Sequence, residues 1–206
     1  YGTTGLRVSV IGLGAGQLGD AGLDEGDAEA FVRGALDAGV KLIDTARGYG
    51  LSEERLGRYA ADRRAEFVLS TKVGYGVEGH EDWTPGCIRA GVERALRTLR
   101  TDVLDIVHLH SCPARVLAES GVAEALAGER DAGRVRTIAY SGDDADLAHA
   151  LELDMFCGFM AALHTRHQRV INDAKPIVRA RRAGFIATHP PPTAPLLPPD
   201  RPVGKY

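Results

Sequence analysis

Four polar side chains stand where the sequence predicts that strands of a parallel sheet end. Asp44 ends one apolar run, Tyr49 lies in the loop after it, Lys72 ends the next run and His110 the one after that. A phenol with an ordinary pKa of about 10 exchanges protons poorly at pH 7 unless a cation stabilises its phenolate. A lysine supplies that cation, a carboxylate holds it, and a histidine can donate to an oxygen that gains negative charge. The set predicts proton transfer at a polarised oxygen, and the alternative is a buried polar network without chemistry.

These residues need a scaffold that brings strand ends together. Short β-branched or apolar runs alternate with stretches of helical period, which is typical of repeated βα units around a parallel sheet. The predicted strands are 8–14, 40–45, 67–73, 104–110, 135–141, 156–163 and 184–189, and the predicted helices lie near 26–38, 52–61, 85–100, 119–132, 143–152 and 168–182. A barrel or a doubly wound sheet could be built from this pattern.

Composition excludes several classes of protein. The chain has 206 residues, a net charge of −3, 44% hydrophobic and 26% charged residues, which excludes a disordered chain, a collagen and a polybasic nucleic-acid binder. No apolar run approaches the ~18 residues of a membrane span, and no signal-peptide pattern opens the chain. Three distant cysteines favour free thiols in a reducing compartment, so we expect a cytoplasmic protein that binds neither nucleic acid nor membrane.

Two features could indicate other kinds of site. The segment after the first strand contains Gly12, Gly14, Gly16 and Gly19, but no predicted helix begins at its last glycine, so we interpret it as a βα loop rather than a Rossmann site. His164, His167 and His189 lie near the predicted catalytic face at the carboxyl ends of the strands, but no Asp or Cys stands at ligand spacing from them. We therefore expect no metal site.

The stretch 43–50 reads Ile-Asp-Thr-Ala-Arg-Gly-Tyr-Gly and is followed by Ser52-Glu53 and Leu56-Gly57. This pattern resembles the signature of the aldo-keto reductase family. Other segments resemble that family's N-terminal hairpin with the first strand, its third strand, its fourth strand and its fifth strand, at 4–14, 70–73, 102–110 and 133–138. The resemblance rests on several ordered motifs and covers nearly the whole chain.

The resemblance implies an α/β fold, a (β/α)8 TIM barrel that moves hydride between NADPH and a carbonyl group. Its catalytic tetrad would fall on Asp44, Tyr49, Lys72 and His110, with Tyr49 as the acid and His110 as the polarising donor. The positions implied for the cofactor are Gly14, Ala15, Asp44, Ser141, Gly142 and Met160, and those predicted for the substrate pocket are Trp83 and His164.

The sequence departs from the family pattern at several positions. Gly142 stands where Asn is usual, Met160 where Gln is usual, and Thr188-His189 where Lys-Arg is expected. The last βα unit or units, which supply much of the grip on the phosphates, are absent. We therefore expect an incomplete barrel domain over 1–189 and an extended Pro-rich tail over 190–206. A longer natural chain, or a homo-oligomer, would close the barrel.

Three functions remain open on the sequence alone. The first is an NADPH-dependent oxidoreductase that reduces a small aldehyde or ketone. The second is a lyase, dehydratase or isomerase that uses the same tetrad without nicotinamide. The third is a non-catalytic barrel relative that is stable only with a partner.

Overall fold

The computed structural model describes residues 1–162 and 174–188. The strands are β1 (Leu13–Gly14), β2 (Leu42–Asp44), β3 (Val68–Val73), β4 (Leu104–His110), β5 (Val135–Ser141), β6 (Gly158–Ala162) and β7 (Gly184–Thr188). The helices are α1 (Glu25–Asp37), α2 (Ser52–Tyr59), α3 (Pro85–Leu99), α4 (Ala114–Glu119), α5 (Val122–Asp131), α6 (Asp144–Glu152) and α7 (Lys175–Ala180), with 3₁₀ helices at Ala15–Gly19 and Ala61–Glu66.

The strands form one parallel sheet in which each pairs with the next along the chain, in the order β1 to β7. At least one helix separates each strand from the next. This sequential order is that of a (β/α) barrel, whereas a doubly wound sheet reverses its order at a switch point. The predicted fold class is confirmed: the described strands form a curled partial barrel that lacks the last unit, and β1 and β7 are its edges.

The two sides of the sheet bury different sets of side chains. The outer side packs against the helices through a large apolar cluster that includes Leu69, Val107, Ile138 and Phe159. The inner side carries a smaller apolar layer at the amino ends of the strands, covered by the N-terminal segment; its members are Leu42, Val68, Ile106 and Ala139, with Tyr1, Leu6 and Val8 packed on them. Strands buried on both sides read as continuous apolar runs, which is why they were predictable.

Helix α3 shows how local sequence sets the element bounds. The Thr84 hydroxyl accepts a hydrogen bond from the Cys87 amide at 3.2 Å, and Pro85 occupies the first helical position. Ile88 and Val92 are fully buried at helical spacing. The helix ends before Arg100, which takes the left-handed conformation at φ 53°. A capping hydroxyl, an N-terminal proline and one apolar face therefore determine this helix.

Two predicted elements differ in the structure. The first strand was predicted over 8–14, but only Leu13–Gly14 pairs with β2. Val10 and Ile11 are exposed by 105% and 77%, because this edge has no neighbouring strand among the described residues. The predicted helix near 119–132 corresponds to α5, which begins only at Val122, and the short helix α4 before it was not predicted; Gly121, with a positive φ of 71°, separates the two.

Other predictions fall partly or wholly outside the described residues. The predicted helix near 168–182 is described only from α7 onward. His164, His167, His189 and the Pro-rich tail over 190–206 lie outside, so the domain boundary at 189 stays a prediction.

The described part of the chain lacks membrane-spanning helices, metal-binding clusters and disulfides. None of its helices is both long and apolar enough to cross a bilayer. It holds no cluster of three or more His, Cys, Asp or Glu side chains placed to bind a metal ion. Cys87 and Cys112 are buried, Cys157 is exposed, and none of the three forms a disulfide.

Candidate active site

A polar layer lies above the apolar inner layer, toward the carboxyl ends of the strands. Because side chains alternate along a strand, Ser70 and Lys72 lie on the same side of β3 as Val68. The register of the strands places residues of the same layer side by side on neighbouring strands: Lys72 pairs with His108 on β4, and His110 pairs with Ser141 on β5. The carboxyl ends of barrel strands are where enzymes of this architecture build their sites.

Asp44 and Lys72 form a buried ion pair in this layer. Lys72 Nζ donates to Asp44 Oδ2 at 2.6 Å and to the Thr45 carbonyl at 2.9 Å, and the two side chains are exposed by only 1% and 12%. The Ser70 hydroxyl donates to the other carboxylate oxygen, Oδ1, at 2.7 Å. Burial raises the pKa of the Asp44 carboxyl, and the ammonium and hydroxyl donors oppose that rise. The pair fixes the position of the ammonium.

Tyr49 lies beside two other residues of the predicted set, Lys72 on β3 and His110 on β4. Lys72 Nζ is 4.8 Å from the centroid of its ring, and the His110 ring meets it edge-on with centroids 5.9 Å apart. The loop that carries Tyr49 packs on the 3₁₀ helix Ala15–Gly19. A Cβ added to Gly19 would lie 1.8 Å from the Tyr49 carbonyl oxygen, so glycine is required there for the close approach.

His110 ends β4 and is held by a residue that the sequence analysis did not identify. The Tyr75 hydroxyl lies 2.8 Å from His110 Nδ1, and the two rings stack with centroids 5.3 Å apart and planes 27° apart. Burial and the nearby Lys72 ammonium lower the pKa of His110 to about 4, so the ring is neutral at pH 7. Tyr75 stands two residues after β3, so a search of the loops after each strand could have found it.

His108 is a second residue that the sequence analysis missed. Its side chain is fully buried, with Nε2 3.1 Å from the Ser70 hydroxyl oxygen. Because Ser70 donates its only proton to Asp44, its oxygen accepts from His108, which therefore carries its proton on Nε2. Burial lowers the pKa of His108 to about 3, so the ring stays neutral. The two bonds connect His108 to Asp44, although nothing in the spacing of β4 points to this.

Three of the positions predicted for the cofactor, Ser141, Gly142 and Met160, lie at the end of β5 and on β6. Ser141 is buried opposite Met160 in the register of these strands, and the Gly142 amide donates to the Met160 carbonyl at 3.0 Å. A Cβ at Gly142 would lie 2.8 Å from atoms of the Tyr140 ring and hydroxyl, and that hydroxyl donates to the Cys112 carbonyl at 2.6 Å. The packing of Tyr140 therefore leaves little room for a side chain at position 142.

Gly14 and Ala15 have different surroundings. Gly14 lines a groove of about 1030 Å³ between β1 and β7 that also reaches Asp44 and Tyr49, and a Cβ at Gly14 would meet open space. Ala15 is fully buried in the core, and its carbonyl accepts from the Ser52 hydroxyl at 2.7 Å. Gly14 and Gly16 thus line the groove together with Leu13 and Gln17, whereas Ala15 is packed in the core on the other side of the loop.

The predicted cofactor fits one part of this site better than the other. The Ser141 hydroxyl, next to His110 in register, has the chemistry to bind a carboxamide. Along the groove, the described lining residues include neither Lys nor Arg, so three or four phosphate charges would lack a cation there. The described residues therefore suit the nicotinamide end of NADPH, and those that line this groove supply no Lys or Arg side chain for its phosphates.

Trp83 packs against the loop that follows β3. Its indole lies over Gly74, where a Cβ would come within 2.3 Å, and its amide donates to the Gly74 carbonyl at 2.7 Å. Its ring centroid is 5.8 Å from that of Tyr75. Trp83 thus packs against Tyr75. Its role in a substrate pocket stays a prediction, as does that of His164.

Comparison with known proteins gives one family. The profile of the Aldo/keto reductase family matches residues 10–166. The L-galactose dehydrogenase of Arabidopsis thaliana is 34% identical over 155 residues, which are 71% of this chain and 48% of that protein. The aldo-keto reductase YhdN of Bacillus subtilis is 32% identical over 172 residues, which are 79% of this chain and 50% of that protein.

A solved structure is similar over most of the fold. The crystal structure of a Pseudomonas aeruginosa protein assigned to the aldo-keto reductases superposes with a TM-score of 0.81 and 32% sequence identity, covering 90% of this chain and 75% of that one. The chain spans about half the length of the curated relatives it matches.

Proposed function

The chain belongs to the aldo/keto reductase family, and from this premise we propose that it is an NADPH-dependent oxidoreductase that reduces a small aldehyde or ketone. One observation carries the proposal: the Tyr49 ring contacts both the Lys72 ammonium and the neutral His110 ring at the carboxyl ends of the strands. The arrangement offers one proton donor and one polarising donor to a single oxygen. The substrate is proposed only as a class.

In the proposed reaction Tyr49 delivers its hydroxyl proton to the substrate oxygen as that oxygen becomes an alcohol. The Lys72 ammonium stabilises the phenolate left behind, because it lies over the ring in a buried site where charges interact strongly. Asp44 keeps the ammonium there. His110 donates a hydrogen bond to the oxygen as negative charge develops on it. NADPH, when bound, supplies the hydride.

We propose that Ser141, Gly142 and Met160 flank the nicotinamide, and that the backbone of Gly14 and Ala15 flanks the cofactor at the β1 end. Asp44 lines the groove in the same region, and we propose that it also lies beside the bound cofactor. Affinity for NADPH is expected to be low in this chain. Gly142 and Met160 lack the amide side chains that are usual at these positions in the family, so the carboxamide of a bound nicotinamide would lose those partners. A buried amide left without a partner costs about 1–3 kcal/mol, which is about 5- to 150-fold in affinity.

The proposed function is tested by removing the Tyr49 hydroxyl. Tyr49→Phe is expected to lower turnover of aldehydes with NADPH by at least about 100-fold, the smallest usual effect of losing a general acid. The assay is nicotinamide absorbance with a panel of small aldehydes and ketones. Tyr59→Phe is the matched control, because it removes the same atom on α2, where the hydroxyl donates to Glu25. Wild-type turnover in Tyr49→Phe would contradict the proposal.

A second candidate function is favoured by the absence of Lys and Arg side chains among the described residues that line the groove. In it, Tyr49 and Lys72 move a proton to or from a substrate without nicotinamide, in a lyase, dehydratase or isomerase reaction. Exchange of substrate protons for deuterium in D₂O, without NADPH and dependent on Tyr49, would support it. A protein with neither reduction nor exchange would be a non-catalytic relative.

We further propose a cytoplasmic location and self-association. Free cysteines are typical of reducing compartments. The exposed Val10 and Ile11 lie beside the edge strand β1, and we propose that a second copy of the chain covers them. Light scattering is expected to give a dimer for the wild type and a monomer for Ile11→Asp. A wild-type monomer at high concentration would contradict self-association.

A further inference from the structure

The contact between Tyr75 and His110 restrains the histidine in two ways. The hydroxyl oxygen lies 2.8 Å from Nδ1, which is a good hydrogen-bond distance. The rings also stack at 5.3 Å with an angle of 27° between their planes. The stack restricts tilting of the imidazole and the hydrogen bond restricts its rotation. Together they leave Nε2, on the other side of the ring, as the nitrogen that is available for a hydrogen bond to another group.

We propose that Tyr75 is a positioning residue that donates its hydroxyl proton to His110 Nδ1 and thereby keeps the imidazole proton on Nε2. The catalytic consequence rests on the proposed function, in which His110 donates a hydrogen bond to the substrate oxygen. Only the Nε2–H tautomer can do so once Nδ1 is occupied by Tyr75.

The direction of this hydrogen bond follows from the acidity of its two partners. A neutral imidazole offers one acceptor nitrogen and one N–H, whereas a phenol O–H is a much stronger acid than that N–H. Burial lowers the pKa of His110 and raises that of Tyr75, so both groups are neutral at pH 7. The better donor therefore meets the better acceptor when the phenol donates to Nδ1.

The loop after β3 is built to present Tyr75 to His110. Gly74 and Gly76, on either side of it, take positive φ values of 146° and 67°, which side-chain-bearing residues rarely adopt. The Gly76 amide donates to Asp82 Oδ1 at 2.6 Å and closes the loop. On the facing loop, a Cβ at Gly48 would lie 3.3 Å from the Tyr75 hydroxyl oxygen, so glycine leaves room for it.

The proposal predicts a defined loss in Tyr75→Phe, which keeps the ring stack and removes the hydroxyl. We expect kcat to fall by about 2- to 13-fold, the size expected for the loss of one neutral hydrogen bond, with KM unchanged. A role in packing alone would leave kcat unchanged in this variant, because the ring remains.

The decisive experiment reads the tautomer directly and does not depend on activity. Protein with ¹⁵N-labelled histidine is examined by long-range ¹H–¹⁵N NMR, with His110→Gln used to assign the resonances. In the wild type we expect the proton on Nε2 and an Nδ1 shift typical of a hydrogen-bonded acceptor. In Tyr75→Phe the Nδ1 resonance should move to the value of a free acceptor or an averaged tautomer. Tyr59→Phe is the control and should leave both resonances in place.

The outcomes separate this inference from the proposed function. A wild-type proton on Nδ1, or an Nδ1 resonance that is the same in Tyr75→Phe, overturns the role of Tyr75 whatever the activity. The expected resonances with an unchanged kcat overturn its catalytic consequence. The expected resonances in a wild-type protein that reduces no carbonyl compound overturn the proposed function and leave the hydrogen bond established.

Discussion

The Lys72 ammonium lies over the ring of Tyr49, 4.8 Å from its centroid, while its hydrogen bonds go to Asp44 and to the Thr45 carbonyl. The cation therefore acts on the phenol through its electric field, and the carboxylate determines where that field is centred. Because the pair is buried, solvent and salt screen it little. We therefore expect both the stability of the fold and the proposed proton transfer to depend on this ion pair.

Removing one partner of this pair should be costly. Lys72→Met leaves Asp44 buried without a cation, and we expect the free energy of unfolding to fall by about 3–5 kcal/mol, measured by denaturant titration. The double variant Asp44→Asn/Lys72→Met should recover part of the loss, because neither charge remains. Turnover should stay low in both variants. A single variant as stable as the wild type would show that the carboxylate does not need its partner.

Ser70 should matter more for stability than its size suggests. Ser70→Ala removes the acceptor of His108 Nε2–H and the donor to Asp44 Oδ1, and each buried group left unpaired costs about 1–3 kcal/mol. Ser120→Ala is the control, because that hydroxyl makes one hydrogen bond, to the Val116 carbonyl, and its loss should cost about 0.5–1.5 kcal/mol. Equal losses of unfolding free energy in the two variants would argue against the chain of hydrogen bonds through Ser70.

Stability should decrease in mild acid because of His108. Burial lowers the pKa of its folded state to about 3, whereas the unfolded chain binds the proton near the ordinary value of 6.5. Between these values the unfolded state holds more protons, so the stability present above pH 6.5 is lost as the pH falls. We expect His108 to account for about 2 kcal/mol of the loss between pH 7 and pH 5.

The measurement compares wild type with His108→Gln, which cannot take up the proton. The difference between their free energies of unfolding should shrink as the pH falls from 7 to 5, whatever other groups titrate. A constant difference over that range would show that the folded state takes up the His108 proton as readily as the unfolded chain does.

A side chain at Gly142 should disturb the barrel rather than restore a cofactor contact. Gly142→Asn brings a Cβ to 2.8 Å from Tyr140, whose ring is fully buried, and overpacking of this kind costs about 1–3 kcal/mol. Gly34→Ala on α1 is the control, since its Cβ would meet open space and should be neutral or stabilising. Thermal unfolding and NADPH titration of both variants test this. Tighter NADPH binding in a stable Gly142→Asn protein would contradict the expectation.

The sequence by itself determined the βα pattern and the places of Asp44, Lys72 and His110, and the resemblance to a family favoured a barrel over a doubly wound sheet. Strands buried on both faces appear as apolar runs, so polar residues that end such runs stand out, and parallel strands bring their carboxyl ends to one edge. Tyr49 stands in the loop after the first of these runs, and the family motif around it supported its place in the set. None of this required knowing which strands pair, because sequential βα units leave few arrangements.

The tertiary structure alone decided how these residues are held. Tyr75 reaches His110 and His108 reaches Asp44 through Ser70 only because β3 and β4 pair in one register, and a shift of one residue would reverse every side chain. The exposure of Val10 and Ile11 likewise depends on an edge that no local pattern encodes. Contacts between strands and loops far apart in the chain depend on register and close approach, and residue spacing along the sequence carries information about neither.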